Sequence, residues 1–294
     1  MIVELAPAKI NLALHVRRRR PDGYHDLETL FAFATDGDVM TVEEADRDTF
    51  RITGPHAAAL HTSPERGGGP PPQAVVEGQP HAASPDNLVL RARDAFRALT
   101  PTSPLAITLT KNLPVASGIG GGSADAAATL RALARLTQVD PTDFRLHAIA
   151  AKLGADVPAC LSGRTALGLG KGDDLATLEG LAGTPLLLVN PGVAVSTAKV
   201  FAAWDGVDRG PLPDGDLLAR AKAARNDLET PATALAPVIA EVRALLDTAP
   251  GAILARMSGS GATCFALFDS AATRLAAART AAARGWWTLA TRMA

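Results

Sequence analysis

The chain has 294 residues, of which 47% are hydrophobic and 20% are charged, so it can bury a full core and is not disordered by composition. Its 29 lysines and arginines nearly balance its 30 aspartates and glutamates, which gives a formal net charge of -1. A nucleic-acid-binding protein usually carries a basic excess. These figures predict one large or two ordinary domains and no nucleic-acid partner.

The cysteines, the histidines and the hydropathy restrict the class of protein further. Cys160 and Cys264 lie in separate apolar stretches, which predicts no disulfide framework and fits a reducing compartment. No histidine or cysteine spacing typical of a metal site occurs, so no metal-binding residue is predicted. No apolar run approaches the ~18 residues of a membrane span, and Glu4 and Lys9 interrupt the apolar N-terminal stretch, unlike a signal peptide. We expect a soluble, cytoplasmic protein without a membrane partner; its oligomeric state stays open.

The N-terminal third is rich in strand patterns. Residues 2–6 and 10–16 are predicted as two strands broken at Pro7, followed by a turn at residues 20–23 and an apolar segment to Phe33. Alternation places Ile10, Leu12, Leu14 and Val16 on one face of the second strand, and Lys9, Asn11, Ala13 and His15 on the other.

The next segments mix low complexity with regular patterns. Residues from about 54 to 85 are rich in proline, glycine, alanine and histidine, which indicates an inserted surface loop. A helix is predicted at 87–99 and an alternating strand at 105–109. An alanine-rich helix follows the glycine-rich segment, and a second helix ends near Gly154.

The second half also mixes strands and helices. We predict a strand at 185–189, a helix near 234–246, and a hairpin of residues 252–256 and 263–268. Because no regular alternation of strand and helix occurs, the pattern favours an α+β fold over a doubly wound sheet. No internal repeat is present.

The segment Pro114–Asp125 carries the strongest chemical signal. Its glycines, four in the five positions 118–122, let the backbone approach a ligand with its N–H groups exposed. Because a helix follows, these donors and the helix dipole suit a phosphate, and Ser123 is a candidate N-cap or phosphate ligand. A Walker A loop would need Gly-Lys-Ser/Thr at its end, and a dinucleotide fingerprint starting at Gly118 would need glycine at position 123. The alternative is an ordinary flexible loop.

Three further segments each have a structural and a functional interpretation. Asp156 could be an N-cap with Pro158 in the first helical turn, or a catalytic carboxylate. Lys9, in an apolar stretch, could snorkel to the surface or serve in chemistry. The segment Met257–Thr263 could be a tight turn between strands or a ligand loop.

Taken together, these segments point to a family. In order and spacing Ala6–Asn11, Pro114–Ala124 and Met257–Thr263 resemble the three signature motifs of the GHMP kinases, and the likeness extends from residue 1 to about residue 270. The segments Arg20–His25, Lys111–Pro114, Leu153–Pro158 and Asn226–Glu229 resemble those family members that phosphorylate 4-diphosphocytidyl-2-C-methyl-D-erythritol in non-mevalonate isoprenoid biosynthesis. The insertion near 54–85 is longer than this family needs.

The resemblance implies a fold and a reaction. It implies a ribosomal-protein-S5-like, ATP-binding N-terminal domain over residues 1–165 and a ferredoxin-like C-terminal domain over 166–294, with the active site between them. The implied reaction transfers the γ-phosphate of ATP, with Mg²⁺, to a hydroxyl of the small-molecule substrate.

The resemblance also implies roles for individual residues. Asp156 would accept the proton of the hydroxyl, and Lys9 would keep Asp156 ionised and stabilise developing charge. The nucleotide would contact Lys111 and the loop formed by Pro114, Val115, Ala116, Ser117, Gly118, Ile119, Gly120, Gly121, Gly122, Ser123 and Ala124. The substrate would contact Asn11, Tyr24, His25, Thr197 and Phe201, with the pyrimidine between Tyr24 and Phe201.

Three alternatives remain open from the residues alone. The chain could be a GHMP kinase of the mevalonate or homoserine type, or a catalytically silent sensor with the same fold. It could also be a dinucleotide-binding oxidoreductase, which Ser123 disfavours.

Overall fold

The computed structural model describes residues 1–58 and 87–294. The expected insertion at 54–85 therefore lies outside the described residues, except for its first residues, 54–58. In the described ranges the chain forms two β-sheets with helices packed on them, which confirms the α+β class.

The first sheet has six strands, in the spatial order β3-β4-β2-β5-β6 with β1 beside β2. Their bounds are β1 Ile2–Arg19, β2 His25–Glu44, β3 Thr49–Thr53, β4 Leu105–Thr110, β5 Ala166–Gly170 and β6 Asp174–Thr177. The long strand β2 pairs antiparallel with β1, β4 and β5, whereas β3 and β4 are parallel.

Strand β1 differs from the sequence prediction because it is one continuous strand rather than two. Pro7, which cannot donate a ladder hydrogen bond, lies at a shift of register before Lys9 and is accommodated there. A second shift after Asn11 changes the alternation, so Ile10 and Leu12 pack in one hydrophobic cluster and Leu14 in another. The expected single face of β1 is therefore wrong.

Four helices cover this sheet. They are α1 Leu88–Leu99, α2 Gly121–Thr137, α3 Phe144–Leu153 and α4 Val157–Ser162. The helix predicted at 87–99 is confirmed, and Asn87 caps it by accepting a hydrogen bond from the backbone N–H of Val89 at 2.9 Å. The N-cap of α2 is Gly120, so Ser123 lies inside the first turn and the N-cap interpretation of Ser123 is wrong.

The second sheet has four antiparallel strands in the order β10-β7-β9-β8. Its strands are β7 Pro185–Asn190, β8 Ala252–Met257, β9 Cys264–Phe268 and β10 Trp287–Arg292, and its helices are α5 Thr197–Ala202, α6 Leu217–Ala223, α7 Glu229–Leu235, α8 Val238–Asp247 and α9 Ala271–Ala282. The β8–β9 hairpin is confirmed. The helix expected near 234–246 is divided, because α7 ends at Leu235 and Pro237 is the N-cap of α8.

Strand pairing bears on the division expected at residue 165. Strands β5 and β6 follow that position but belong to the first sheet. By sheet membership the chain therefore divides between β6 and β7, and the domain boundary at 165 stays a prediction.

The two halves are joined through β1. The backbone of Leu14 exchanges hydrogen bonds of 2.9 Å with the segment before α7, donating to Arg225 and accepting from Asp227. Trp287, on β10, packs edge-on against His56 with 6.2 Å between ring centroids. Within the described part of the chain, no helix has the length and apolar character to cross a bilayer. The cytoplasmic location stays a prediction.

Candidate active site

A cleft of about 970 Å³ opens between the two halves. The predicted site residues on its walls are Lys9, Asn11, Tyr24, His25, Lys111, Pro114, Val115, Ala116, Ser117, Gly118, Gly120, Gly121, Gly122, Ser123, Asp156, Thr197 and Phe201. Ile119 and Ala124 do not line it, because both side chains are fully buried in the core. Both lie in the core behind the glycine-rich loop. Their contact with the nucleotide stays a prediction.

Lys9 and Asp156 form an ion pair on the cleft wall. The Lys9 ammonium is 2.9 Å from Asp156 Oδ2, and the Lys9 side chain is 3% exposed against 37% for Asp156. Although Asp156 occupies the N-cap position of α4, its carboxylate makes no capping hydrogen bond. The two structural interpretations are therefore wrong. Lys9 does not extend to the surface, and the Asp156 carboxylate pairs with Lys9 instead of capping the helix.

Asn11 fixes the direction of the Lys9 ammonium. Its Oδ1 accepts a hydrogen bond from Lys9 Nζ at 3.0 Å, while its Nδ2 donates to Thr29 Oγ1 at 2.8 Å. Thr29 in turn donates to the carbonyl of Ala13 at 2.7 Å. Thr29 lies on β2 and gave no signal in the sequence. This chain of hydrogen bonds leaves the ammonium little freedom to turn away from Asp156.

The glycine-rich loop closes over this pair. Gly120 has φ +66°, and a Cβ at this position would lie 2.9 Å from Lys9 Cε, so a side chain there would be strained and glycine is favoured. Because α2 begins at the next residue, its first N–H groups lack helical partners and, with the helix dipole, favour an anion. The arrangement suits the phosphates of a nucleotide.

The segment Met257–Thr263 supports the glycine-rich loop from the C-terminal half. Ser258 Oγ accepts a hydrogen bond from the Asn11 N–H at 3.2 Å and donates to the Gly118 carbonyl at 2.9 Å. Asn226 holds the segment by donating from Nδ2 to the carbonyls of Met257 and Gly259 at 2.8 Å each. The segment is thus both the predicted turn and a brace between β1 and the loop.

Lys111 lies beneath the loop in a buried charge cluster. Its ammonium donates to Asp38 Oδ2 at 2.5 Å and to Asp125 Oδ2 at 2.7 Å. Asp38 Oδ1 also accepts from the backbone N–H groups of Asn112 and Leu113. Both oxygens of Asp38 and two of the three N–H donors of the Lys111 ammonium are therefore used within the cluster. The direct contact of Lys111 with the nucleotide stays a prediction.

The pKa values of Asp125 and Lys111 in this cluster are both raised. Burial raises the pKa of Asp125 to about 7 in spite of the neighbouring Lys111. Burial alone would lower the pKa of Lys111, but the two carboxylates outweigh it and raise that pKa above its usual value. Sequence reasoning missed both acids because Asp38 lies 73 residues and Asp125 14 residues from Lys111.

Aromatic rings line the opposite end of the cleft. The His25 ring lies 4.8 Å from that of Phe201 and 5.7 Å from that of Trp204. Tyr24 is 55% exposed, and the Lys171 ammonium lies 5.3 Å from its ring centroid. Tyr24 is therefore not a core residue, and the partner that Phe201 has in this structure is His25.

His25 and Thr197 supply polar groups at this end. Burial, and to a smaller extent Arg19, lowers the pKa of His25, so its imidazole is neutral at physiological pH. Its Nε2 is buried and has no hydrogen-bond partner among the described residues. Thr197 Oγ1 lies 2.8 Å from Ser260 Oγ and faces the cleft. A neutral imidazole on the cleft wall suits the polar edge of a heterocycle.

Comparison with known proteins agrees with this geometry. Residues 87–164 match the GHMP kinases N terminal domain, and residues 210–285 match the GHMP kinases C terminal region. A curated 4-diphosphocytidyl-2-C-methyl-D-erythritol kinase of Rhizorhabdus wittichii is 55% identical over 295 residues, covering 99% of this chain and 94% of that protein.

Solved structures extend the comparison to three dimensions. A crystal structure of 4-(cytidine 5'-diphospho)-2C-methyl-D-erythritol kinase superposes with a TM-score of 0.77 at 34% identity and covers 99% of both chains. A homoserine kinase from Cytophaga hutchinsonii, at 19% identity and TM-score 0.65 over 98% of this chain and 92% of its own, shares the fold alone. The chain therefore belongs to the GHMP kinases, a family of ATP-dependent small-molecule kinases, and is similar over nearly its whole length to the members named 4-diphosphocytidyl-2-C-methyl-D-erythritol kinase.

Proposed function

We propose that this chain transfers the γ-phosphoryl group of ATP to a hydroxyl of 4-diphosphocytidyl-2-C-methyl-D-erythritol, the substrate named in its relatives. The observation that carries the proposal is the position of the Lys9–Asp156 pair. It lies on the wall of one cleft that has the glycine-rich loop at one end and the His25–Phe201 rings at the other.

The glycine-rich loop would hold the phosphates of ATP. The N–H groups at the start of α2 and the helix dipole offset phosphate charge. Phosphoryl transfer depends mainly on position and electrostatics, so a rigid loop braced by Ser258 serves the reaction directly.

Asp156 would act on the acceptor hydroxyl. As the hydroxyl oxygen forms a bond to the γ-phosphorus, the bond to the leaving ADP oxygen breaks and the hydroxyl proton passes to Asp156 Oδ. Lys9, held at 2.9 Å from this carboxylate and at 3.0 Å from Asn11, would favour its ionised form and stabilise charge on the transferring group.

The aromatic end of the cleft would hold the cytosine. Phe201 and Tyr24 offer ring faces for stacking, and the neutral imidazole of His25 would offer a ring nitrogen to the polar edge of the base. Thr197 and Asn11 also line the cleft and would position the sugar-alcohol portion.

Mg²⁺ would enter with ATP. Of the two carboxylates that line the cleft among the described residues, Asp125 is buried against Lys111, so Asp156, at 37% exposed, is the one open enough to contact a cation. One carboxylate fits this ion, because protein-bound Mg²⁺ often has one or two carboxylates together with substrate phosphates. When bound, the ion would offset phosphate charge.

Ligand protection against thermal unfolding tests the substrate assignment. A ligand that binds the folded protein raises Tm by mass action, so CDP and CMP should each raise it, while mevalonate and homoserine should not. His25→Phe should lose the CMP effect and keep the ATP effect. Protection by mevalonate or homoserine with none from CDP would overturn the proposal and leave the family assignment intact.

A further inference from the structure

The buried cluster of Lys111, Asp38 and Asp125 lies directly under the point where the phosphates would bind. A Cβ added to Gly121, the first residue of α2, would lie 3.1 Å from Lys111 Nζ and 3.8 Å from Asp38 Oδ2. Asp125 is one helical turn further along α2, on the same face as Gly121, and it lines the cleft. The charge of this cluster therefore acts on the phosphate-binding end of the helix.

One carboxylate oxygen of the cluster accepts no hydrogen bond from the described residues. Asp38 uses both oxygens, and Asp125 Oδ2 accepts from Lys111. Asp125 is only 4% exposed, and its Oδ1 is buried without a hydrogen-bond partner among the described residues. With both acids ionised, the buried cluster carries one net negative charge, and a proton on Asp125 Oδ1 would cancel that charge.

We propose that Asp125 is a positioning residue for ATP: acting through Lys111 it sets the charge beneath Gly121, and binding of the phosphates is coupled to uptake of a proton by Asp125. This inference rests on the proposed binding of ATP at the glycine-rich loop. By linkage, an ionised Asp125 weakens phosphate binding, and bound phosphate favours the protonated form to the same extent. Since burial places the pKa of Asp125 at about 7, the effect falls in the physiological range.

Among the residues that the structure describes, the other groups around the cluster do not supply this titration. The thiol of Cys160 on α4 is neutral, because burial raises its pKa to about 12. His56, after β3, is within reach of Asp38 and Lys111, and burial lowers its pKa. On β1, Lys9 is paired with Asp156, and the start of α1 that lines the cleft, residues 87–89, carries no charge.

The test is the pH dependence of nucleotide binding in the wild type and in Asp125→Asn, which keeps the shape of the protonated side chain. Using a non-hydrolysable ATP analogue with Mg²⁺, we expect the wild-type Kd to rise about tenfold from pH 6 to pH 8.5, since one unit charge near the phosphates acts at an effective dielectric constant of about 20. Asp125→Asn should keep its low-pH Kd across the range. Calorimetry in buffers of different ionisation enthalpy should show proton uptake in the wild type that the variant lacks.

Matched variants separate this effect from others. Titration of the nucleotide itself occurs equally in both proteins and cancels in the comparison. His56→Gln and Asp247→Asn, the latter half-exposed on α8, should keep the wild-type pH dependence. Identical profiles and identical proton uptake in the wild type and Asp125→Asn would overturn the inference. Absence of nucleotide binding in the wild type would overturn the proposed function as well.

A second measurement needs no variant, in case Asp125→Asn does not fold. In ¹³C NMR of the wild-type aspartate carboxyls, we expect one carboxyl to titrate near neutral pH, and its midpoint to move upwards when the ATP analogue binds. If every aspartate titrates well below neutral pH, or if the analogue leaves the midpoint unchanged, Asp125 does not take up the proton.

Discussion

Among the single residues, Asp156 and Lys9 give the sharpest expectation. Asp156→Asn and Lys9→Met should each lower kcat by roughly 10²-fold or more, because they remove the proposed proton acceptor and the cation beside it. Stability should change little in Asp156→Asn, since its carboxylate makes no capping bond. Steady-state kinetics and thermal unfolding of the two purified variants check this.

Asp143 provides the matched contrast to Asp156. It is a true N-cap, because its Oδ1 accepts from the backbone N–H of Arg145 at 2.9 Å. Asp143→Ala should therefore lose about 1 kcal/mol of stability and keep its kcat. If Asp156→Asn instead melts early and retains turnover, the catalytic role assigned to Asp156 is wrong.

Tyr24 should matter for the cytidine substrate and not for ATP. Tyr24→Ala should raise the KM for the cytidine substrate about tenfold or more, because stacking on a base contributes about 1–3 kcal/mol. The KM for ATP and the Tm should change little, since the side chain is 55% exposed. Tyr24→Phe is the control and should be mild. Equal increases in both KM values would show that Tyr24 supports the whole cleft rather than the base.

Among the structural elements, the glycine-rich loop depends on the position of each glycine. Gly120→Ala would place an alanine at φ +66° and its Cβ 2.9 Å from Lys9 Cε. Because both features are unfavourable, the variant should have lower stability and lower kcat. Gly122→Ala is the matched control: its Cβ would meet only Leu88 Cδ1 at 3.5 Å, and alanine favours the helix. Thermal unfolding should rank Gly122→Ala at or above the wild type and Gly120→Ala below it; the reverse order would contradict this account of the loop.

Local sequence patterns predicted the helices and strands better than they predicted which face of a strand each side chain occupies. The Lys9–Asn11 relation follows from strand alternation and holds because no shift of register separates the two residues. The shift after Asn11 depends on pairing with β2, which a single sequence does not reveal, so the face of Leu14 was mispredicted. Asp38 and Asp125 escaped notice for the same reason, since their meeting with Lys111 is a product of tertiary folding.

For the whole molecule, Arg256 ties the two halves together. This buried guanidinium donates to the carbonyls of Leu12, Ala221 and Ala224. Burial lowers its pKa to about 10, so it remains charged at neutral pH. Arg256→Met would leave three buried carbonyls without their donor and should lower the free energy of unfolding by about 3 kcal/mol or more.

Urea denaturation checks this prediction through the midpoint of unfolding. Arg279→Met, exposed on α9, is the control and should change the midpoint little. A midpoint in Arg256→Met equal to that of the control would show that the contact between the halves does not depend on this side chain.

The family, the fold class and most of the cleft could be predicted from the sequence because their signals are local: short motifs in a fixed order. What could not be predicted are contacts between distant segments, such as the bracing of Gly118 by Ser258, 140 residues apart. The pairing of β5 and β6 with the first sheet is of the same kind, since strand partners are chosen by tertiary packing.

A coupled assay of ADP release tests the central claim most directly. The purified chain would receive ATP and Mg²⁺ with 4-diphosphocytidyl-2-C-methyl-D-erythritol, mevalonate or homoserine as the acceptor, and Asp156→Asn would serve as the background control. We expect ADP to be released only with the cytidine substrate and to fall roughly 10²-fold in the variant. Release with mevalonate or homoserine alone, or equal release by the wild type and Asp156→Asn, would contradict the account.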